Sequence, residues 1–350
     1  MPLTARQIAF DAAVKARADF LYRGIADLDQ LRGEDSTLGI TIDQMILMRD
    51  SLNDALALEG QHIIGDAPHA PLYFDYVDSD VSNAYAFKDD DHSFIGVTIP
   101  RFFDALGLAS QLAAADEVVM RMGLGKDTDR DKLRTLLLWM LIGHVVSHEY
   151  SHHTHGHHVE KSSGGSIGRL RQQALELDAD GWATYLLLNQ WVLTSGRELL
   201  VARLALKDAT VDEQDRAAFA CVIASHAAFI FVSAPMPLDK TKVYWQTHPL
   251  QPVRLKIISS HALKFAGEFR PAVKTALTDD WYISLMDAIS RLIWDSPQHA
   301  ETWNEHTEFL STAEGTAYHD ALLTELDSFR ETLRQWEAEA EAGAPSESKS

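Results

Sequence analysis

The run HVVSHEYSHHTHGHH, His144 to His158, carries an H-E-x-x-H at His148, Glu149, Tyr150, Ser151 and His152. On a helix of 3.6 residues per turn, His148 and His152 stack on one face and present two imidazole nitrogens to one metal ion. Glu149 then points about 100° round the axis. Zinc in a catalytic site takes three protein ligands and keeps one position for water, so a third ligand must come from elsewhere. RQQALELDADGWA, Arg171 to Ala183, offers one, because Glu176 and Asp180 stand at i and i+4 of a second amphipathic helix. Glu176 is the natural third ligand, with Glu160 or Asp178 as substitutes, and Asp180 the natural partner behind a ligand. The bland alternative is a His-rich, solvent-facing helix beside surface carboxylates.

Seven of the sixteen histidines fall in the opening run. His144 lies one turn before His148, but about 12 Å of helix separates it from His152, so a packing role is expected for it. His153, His155, His157 and His158 near the helix end complement its dipole or stay solvated; a second metal site is the competing reading.

Outside this run the chain is ordinary. Its 350 residues, 46% apolar and 23% charged, suit a soluble globular protein with a real core. The net charge of −20 argues against nucleic acid or an anionic membrane surface as partner. A single cysteine, Cys221, excludes internal disulfides, and the N-terminus lacks the order of a signal peptide, so a cytoplasmic location is expected. AAFACVIASHAAFIFVSA, residues 217–234, approaches the length of a membrane span, yet its alanines, Ser225 and His226 suit a helix buried in protein better. Oligomeric state is not written in the sequence.

Periodicity predicts a mainly helical, α+β chain. Helices are expected from Thr4 to about Arg32, from Ile42 to Leu58, from Arg101 to Met122, and from near Lys132 through the histidines. Between Pro68 and Pro100 the period falls to two, giving strands at Tyr73 to Val77, Asn83 to Phe87 and Ser93 to Ile99 around a turn at Asp89, Asp90 and Asp91. These should form a small antiparallel sheet beside the His-bearing helix. Phe94, Ile95, Gly96 and Val97 are then either an edge strand able to hold an extended peptide, or packing against the helices. A Pro-punctuated loop, with Tyr244 and His248 in it, leads to a helix from about Val253, and helices continue to about 340, with Trp281, Trp294 and Trp303 packing. The divisions suggested are an N-terminal helical region 1–66, a core 67–265, C-terminal helices 266–335 and an acidic, disordered tail 336–350.

Four segments, in order, resemble the gluzincin metallopeptidases, particularly those of the HtpX and CAAX-prenyl-protease type and the related phage-exclusion peptidase Lit. NAYAF (Asn83 to Phe87) followed by FIGVTI resembles the family's Asn-Ala-Phe segment and edge strand. HEYSH carries the metal pair, ELDAD the E-x-x-x-D element, and THPLQPVR (Thr247 to Arg254) a Thr-His-Pro segment with an arginine six residues after its histidine. They span roughly half the chain. The resemblance implies a zincin-like domain in which His148, His152 and Glu176 bind one zinc ion, Glu149 is general base and acid, and Asp180 orients a ligand histidine. It also implies that His248 approaches the metal or the oxyanion and that Arg254 holds that loop. Ser151 stands where the family often has glycine, and the family's obvious membrane spans are missing, which favours a soluble, Lit-like enzyme.

The expected function is hydrolysis of peptide bonds in a protein or peptide substrate by a metal-activated water, with His248, or more weakly Tyr244, facing the oxyanion. The alternatives are a noncatalytic, histidine-rich protein that binds or stores metal, and a scaffold that has lost activity.

Overall fold

Helix α1 (Ala5–Lys15) is closed at its start by a reciprocal cap, Thr4 accepting from the Gln7 N–H while the Gln7 side chain returns to the Thr4 N–H. In the computed structural model, which describes residues 3–17, 23–34, 38–59, 72–88, 92–157, 166–233, 237–294 and 296–343, this helix does not run on to Arg32. Gly24, at φ +115°, turns the chain into a short strand β1 (Gly24–Ile25), and a side chain there would collide with Asp11 and Lys15. Helices α2 (Leu28–Glu34) and α3 (Gly39–Glu59) follow.

The sheet is mixed, where the sequence suggests an antiparallel one. Strands β2 (Leu72–Asp78), β3 (Ala84–Lys88) and β4 (Ser93–Thr98) join β1 in the order β1-β2-β4-β3, with β4 parallel to β2 and antiparallel to β3. Burial explains the order. Every residue of β4 is buried, as a strand covered on both faces must be, whereas β3 alternates buried and half-buried positions. Phe94, Ile95, Gly96 and Val97 therefore lie inside the sheet, hydrogen-bonded on both sides, and do not form its edge. The edges are β1 and β3; β3, which holds most of the NAYAF segment, packs on the His-bearing helix. The expected turn at Asp89 to Asp91 lies outside the described residues.

The expected helix from Arg101 to Met122 breaks at Ala115 into α4 (Ile99–Ala114) and α5 (Asp116–Arg121). Helix α6 (Arg130–Thr154) begins where Asp129 accepts from the Lys132 N–H at 3.1 Å. Its middle, Leu136 to Leu138 and Met140 to Val146, is buried, each large side chain contributing about 1.5–3 kcal/mol relative to exposure. Helices α7 (Ser166–Leu188), α8 (Ser195–Arg203) and α9 (Val211–Val232) come next, then α10 (Gln251–Phe269), α11 (Pro271–Ala276), α12 (Asp279–Ile293), α13 (Pro297–Leu310) and α14 (Ala313–Gly343). By length and composition α9 could cross a membrane, but 83% of its apolar window is buried, against α6, α10 and α12 among others.

One apolar cluster links Met45 and Met48 of α3, the sheet, α6, α9, and Leu285 and Ile289 of α12, so stretches on either side of positions 66 and 265 share a core. Trp294 and Trp303 pack on each other and on Phe231. Helix α14 packs on α7 and runs to Gly343, past position 336, where the tail was expected to begin; residues 344–350 lie outside the described residues.

Glycines set how closely α7 is approached. A Cβ on Gly143 of α6 would stand 3.0 Å from Leu187, and one on Gly181 of α7 would stand 2.5–2.8 Å from three atoms of the His261 ring on α10. Gly181→Ala should therefore lower stability by roughly 1–2 kcal/mol, the overpacking of the ring outweighing the better helix propensity of alanine. Urea denaturation measures it, and an unchanged or higher midpoint would refute the tight α7–α10 contact.

Candidate metal centre

Helix α6 supplies two imidazoles because positions 148 and 152 share one face, and α7, packed against it, brings in the carboxylate. His148 Nε2 lies 3.2 Å from His152 Nε2 and 3.3 Å from Glu176 Oε2, and His152 Nε2 is 3.7 Å from Glu176 Oε1. The three ligand atoms lie within 4.8 Å of one another, so the group can hold a metal ion. Their side chains are 11%, 15% and 13% exposed for His148, His152 and Glu176, which shelters the point of convergence from bulk water without closing it.

Behind His148 stands a fully buried anion. Asp180 Oδ1 lies 3.0 Å from His148 Nδ1, and Arg254 of α10 grips both carboxylate oxygens, Nε at 2.6 Å and an Nη at 2.7 Å. Burial alone would raise the Asp180 pKa, but the Arg254 guanidinium and His148 hold it well below the usual carboxylate range. Burial likewise opposes charge on His148, yet Asp180 and Glu176 outweigh it and push its pKa up to about 10 in the metal-free chain. Glu176, buried but beside His148, His152 and His248, is held below its ordinary value.

Glu149 faces the other way, toward β3. Burial pushes its pKa up to about 7, with His148 opposing, Glu176 reinforcing, and the Ala86 N–H donating to the carboxylate. The Arg101 guanidinium also acts on Glu149; it sits at the start of α4, 4.3 Å over the face of Phe229. His248, more than half exposed, places Nε2 3.5 Å from Glu176 Oε2 and Nδ1 3.0 Å from the Thr247 hydroxyl. It borders the three-residue group without joining it.

The remaining histidines of the run divide. His144 is fully buried and burial keeps it neutral; its ring packs on His226 and Phe229. His153 hydrogen-bonds through Nε2 to the Phe94 carbonyl at 2.8 Å, tying the end of α6 to β4. His155 and His157 gather with Asp178 in a second buried group on the far side of His152. His158 and Glu160 lie outside the described residues. Tyr244 is away from the chemistry, its ring edge-on to Tyr318. Arg330, which bonds Asp178, and Arg101 had no signal in the sequence, since neither belongs to a motif and Arg330 arrives from α14.

Comparison with protein-family models, with curated proteins and with solved structures found no match to this chain.

Asp180→Asn should remove the charge that compensates buried Arg254 and cost about 3 kcal/mol of folding stability. It would be read as a lower urea midpoint at unchanged slope; a wild-type midpoint would show that the pair does not anchor α10 to α7.

Proposed function

We propose that this chain is a zinc-dependent endopeptidase of gluzincin type, with a zincin-like site and the soluble character of the Lit-like enzymes. The observation that carries the reading is convergence. Segments far apart in sequence, NAYAF, HEYSH, ELDAD and THPLQPVR, meet around one point, through the Ala86 N–H, His148 with Glu149 and His152, Glu176 with Asp180, and His248 with Arg254.

The donor set fits zinc. Two imidazoles and a carboxylate are a known zinc ligand set, and a tetrahedral ion with bonds of 2.0–2.2 Å separates its ligand atoms by about 3.3–3.6 Å. Here the two Nε2 atoms lie 3.2 Å apart and His148 Nε2 lies 3.3 Å from Glu176 Oε2, while His152 Nε2 is 3.7 Å from the other carboxylate oxygen, Oε1. Bound to these three groups, zinc supplies a Lewis acid and lowers the pKa of a coordinated water toward neutrality.

The chain's own residues then do the following. Edge strand β3 offers main-chain hydrogen bonds to an extended peptide, which aligns the scissile bond beside Glu149. Glu149 takes a proton from the attacking water as the water oxygen bonds to the carbonyl carbon. As the C–N bond breaks, the same carboxyl gives that proton to the leaving amine. His248, more than half exposed and 3.5 Å from Glu176 Oε2, donates to the oxyanion. Asp180 and Arg254 keep His148 in the orientation that presents Nε2.

The substrate is a protein or peptide, and the setting proposed is the cytoplasm; the net charge of −20 disfavours nucleic acid. A noncatalytic metal-binding or storage role is the second reading, favoured by the additional group His155, His157 and Asp178. Glu149→Gln separates the two. The endopeptidase reading expects the variant to keep one zinc per chain by metal analysis and to lose at least about 10²-fold in proteolysis. Comparing the proteomes of cells carrying the native chain or this variant should show a fragment made only by the native chain. More than one metal per chain, with function unaffected by the substitution, would support storage. His148→Ala should abolish zinc retention under either reading, and retention would remove the site.

A further inference from the structure

The end of α6 is shaped by Gly156, which takes a left-handed conformation at φ 65°. The His157 N–H bonds the His152 carbonyl at 3.1 Å and the Gly156 N–H bonds the His153 carbonyl at 3.2 Å. This is the Schellman arrangement, in which the side chain just beyond the turn folds back onto the one at the start of the last helical turn. Where an apolar contact is usual, this chain has His157 against His152, with Nδ1 to Nδ1 at 2.7 Å. Behind His157, Asp178 Oδ2 lies 3.4 Å from Nε2, off the line of a full hydrogen bond, and also bonds His155 Nδ1. Arg330 Nε donates to the other oxygen, Oδ1, at 3.0 Å.

We propose that His157 is a positioning residue for the metal centre: it accepts from His152 Nδ1–H and so fixes His152 as an Nε2 ligand, with Asp178 and Arg330 holding His157 in turn. The inference rests on the zinc site proposed above. A neutral imidazole that gives its Nε2 lone pair to a metal carries its proton on Nδ1. Only a bare nitrogen can lie 2.7 Å from the nitrogen that bears that proton, so His157 Nδ1 is the acceptor and its Nε2 carries the hydrogen, 3.4 Å from Asp178 Oδ2. Each ligand histidine is then backed by a carboxylate under an arginine, His148 directly by Asp180 and Arg254, His152 through His157 by Asp178 and Arg330.

The same proton placement speaks against a second ion. His157 Nε2 has no lone pair to offer, and Asp178 already accepts from His155 on one oxygen and Arg330 on the other. His155 and His157 thus serve the one metal site instead of making a second.

The test uses the full-length chain and two substitutions. His157→Phe keeps a ring against Phe329 but accepts no hydrogen bond, whereas His157→Asn sets an amide oxygen near the place of Nδ1. Zinc affinity and stoichiometry are measured by competition with a chromophoric chelator, and circular dichroism and the melting midpoint of the metal-free chains check folding. The expected result is one zinc per wild-type chain, affinity weaker by about 10–100-fold in His157→Phe, and most of it recovered in His157→Asn. Equal affinity in His157→Phe and wild type overturns the proposal. So does equal weakening in both variants, or two zinc ions in the wild type falling to one in His157→Phe. A wild-type chain that binds no zinc overturns the metal site itself, and this inference with it.

Discussion

A single carboxylate with no exposure to water, Asp180, holds this centre together. Left alone in a low-dielectric interior it would cost several kcal/mol or take up a proton. It stays ionised because Arg254 closes on both its oxygens and His148 lies against one of them. Those contacts join α7 to α6 and α10 at one atom group, so the spacing between the ligand-bearing helices and the orientation of His148 are set by the same interaction. Gly181, the next residue, allows the approach of α10 that brings Arg254 within reach.

Buried acids paired with arginines recur in this chain. Asp215, also fully buried, lies between Arg197 at 2.8 Å and Arg270 at 2.6 Å, tying α9 to α8 and to the start of α11. Asp178 meets Arg330. A chain with twenty more acidic than basic residues thus turns several partly buried arginines toward interior carboxylates, where a planar, permanently charged fork satisfies an acid that water cannot reach. Breaking such a pair is costly even where forming it contributes little, which makes these contacts better at fixing geometry than at adding stability.

The helix that carries His148 and His152 gains its rigidity from burial upstream. About three turns of α6 before His148 are packed among apolar side chains, and the sheet buttresses its C-terminal half through the His153 bond to β4. A ligand set on such an element keeps its geometry without depending on loops. Glu149 lies on the side of α6 that faces edge strand β3, so the proposed base and the proposed peptide-binding edge are brought together by the same helix–sheet contact.

How much of this is legible in the residues depends on the range of the interaction. Local periodicity carries the long helices, the three main strands to within a residue or two, and the stacking of His148 on His152, since these follow from bonds between near neighbours in the chain. The i, i+4 spacing of Glu176 and Asp180 likewise sets both carboxylates on one face. Strand order was not local information. Whether β3 or β4 takes the edge depends on how much apolar surface each must bury on both faces, which is settled only when helices cover the sheet. Nor can spacing alone show that Arg330, arriving on α14 more than 150 residues downstream, reaches Asp178 beside His155 and His157. Residue types and their spacing set the chemistry on offer; which side chains face one another was left to the fold, because long-range packing and buried charge pairing leave no periodic trace along the chain.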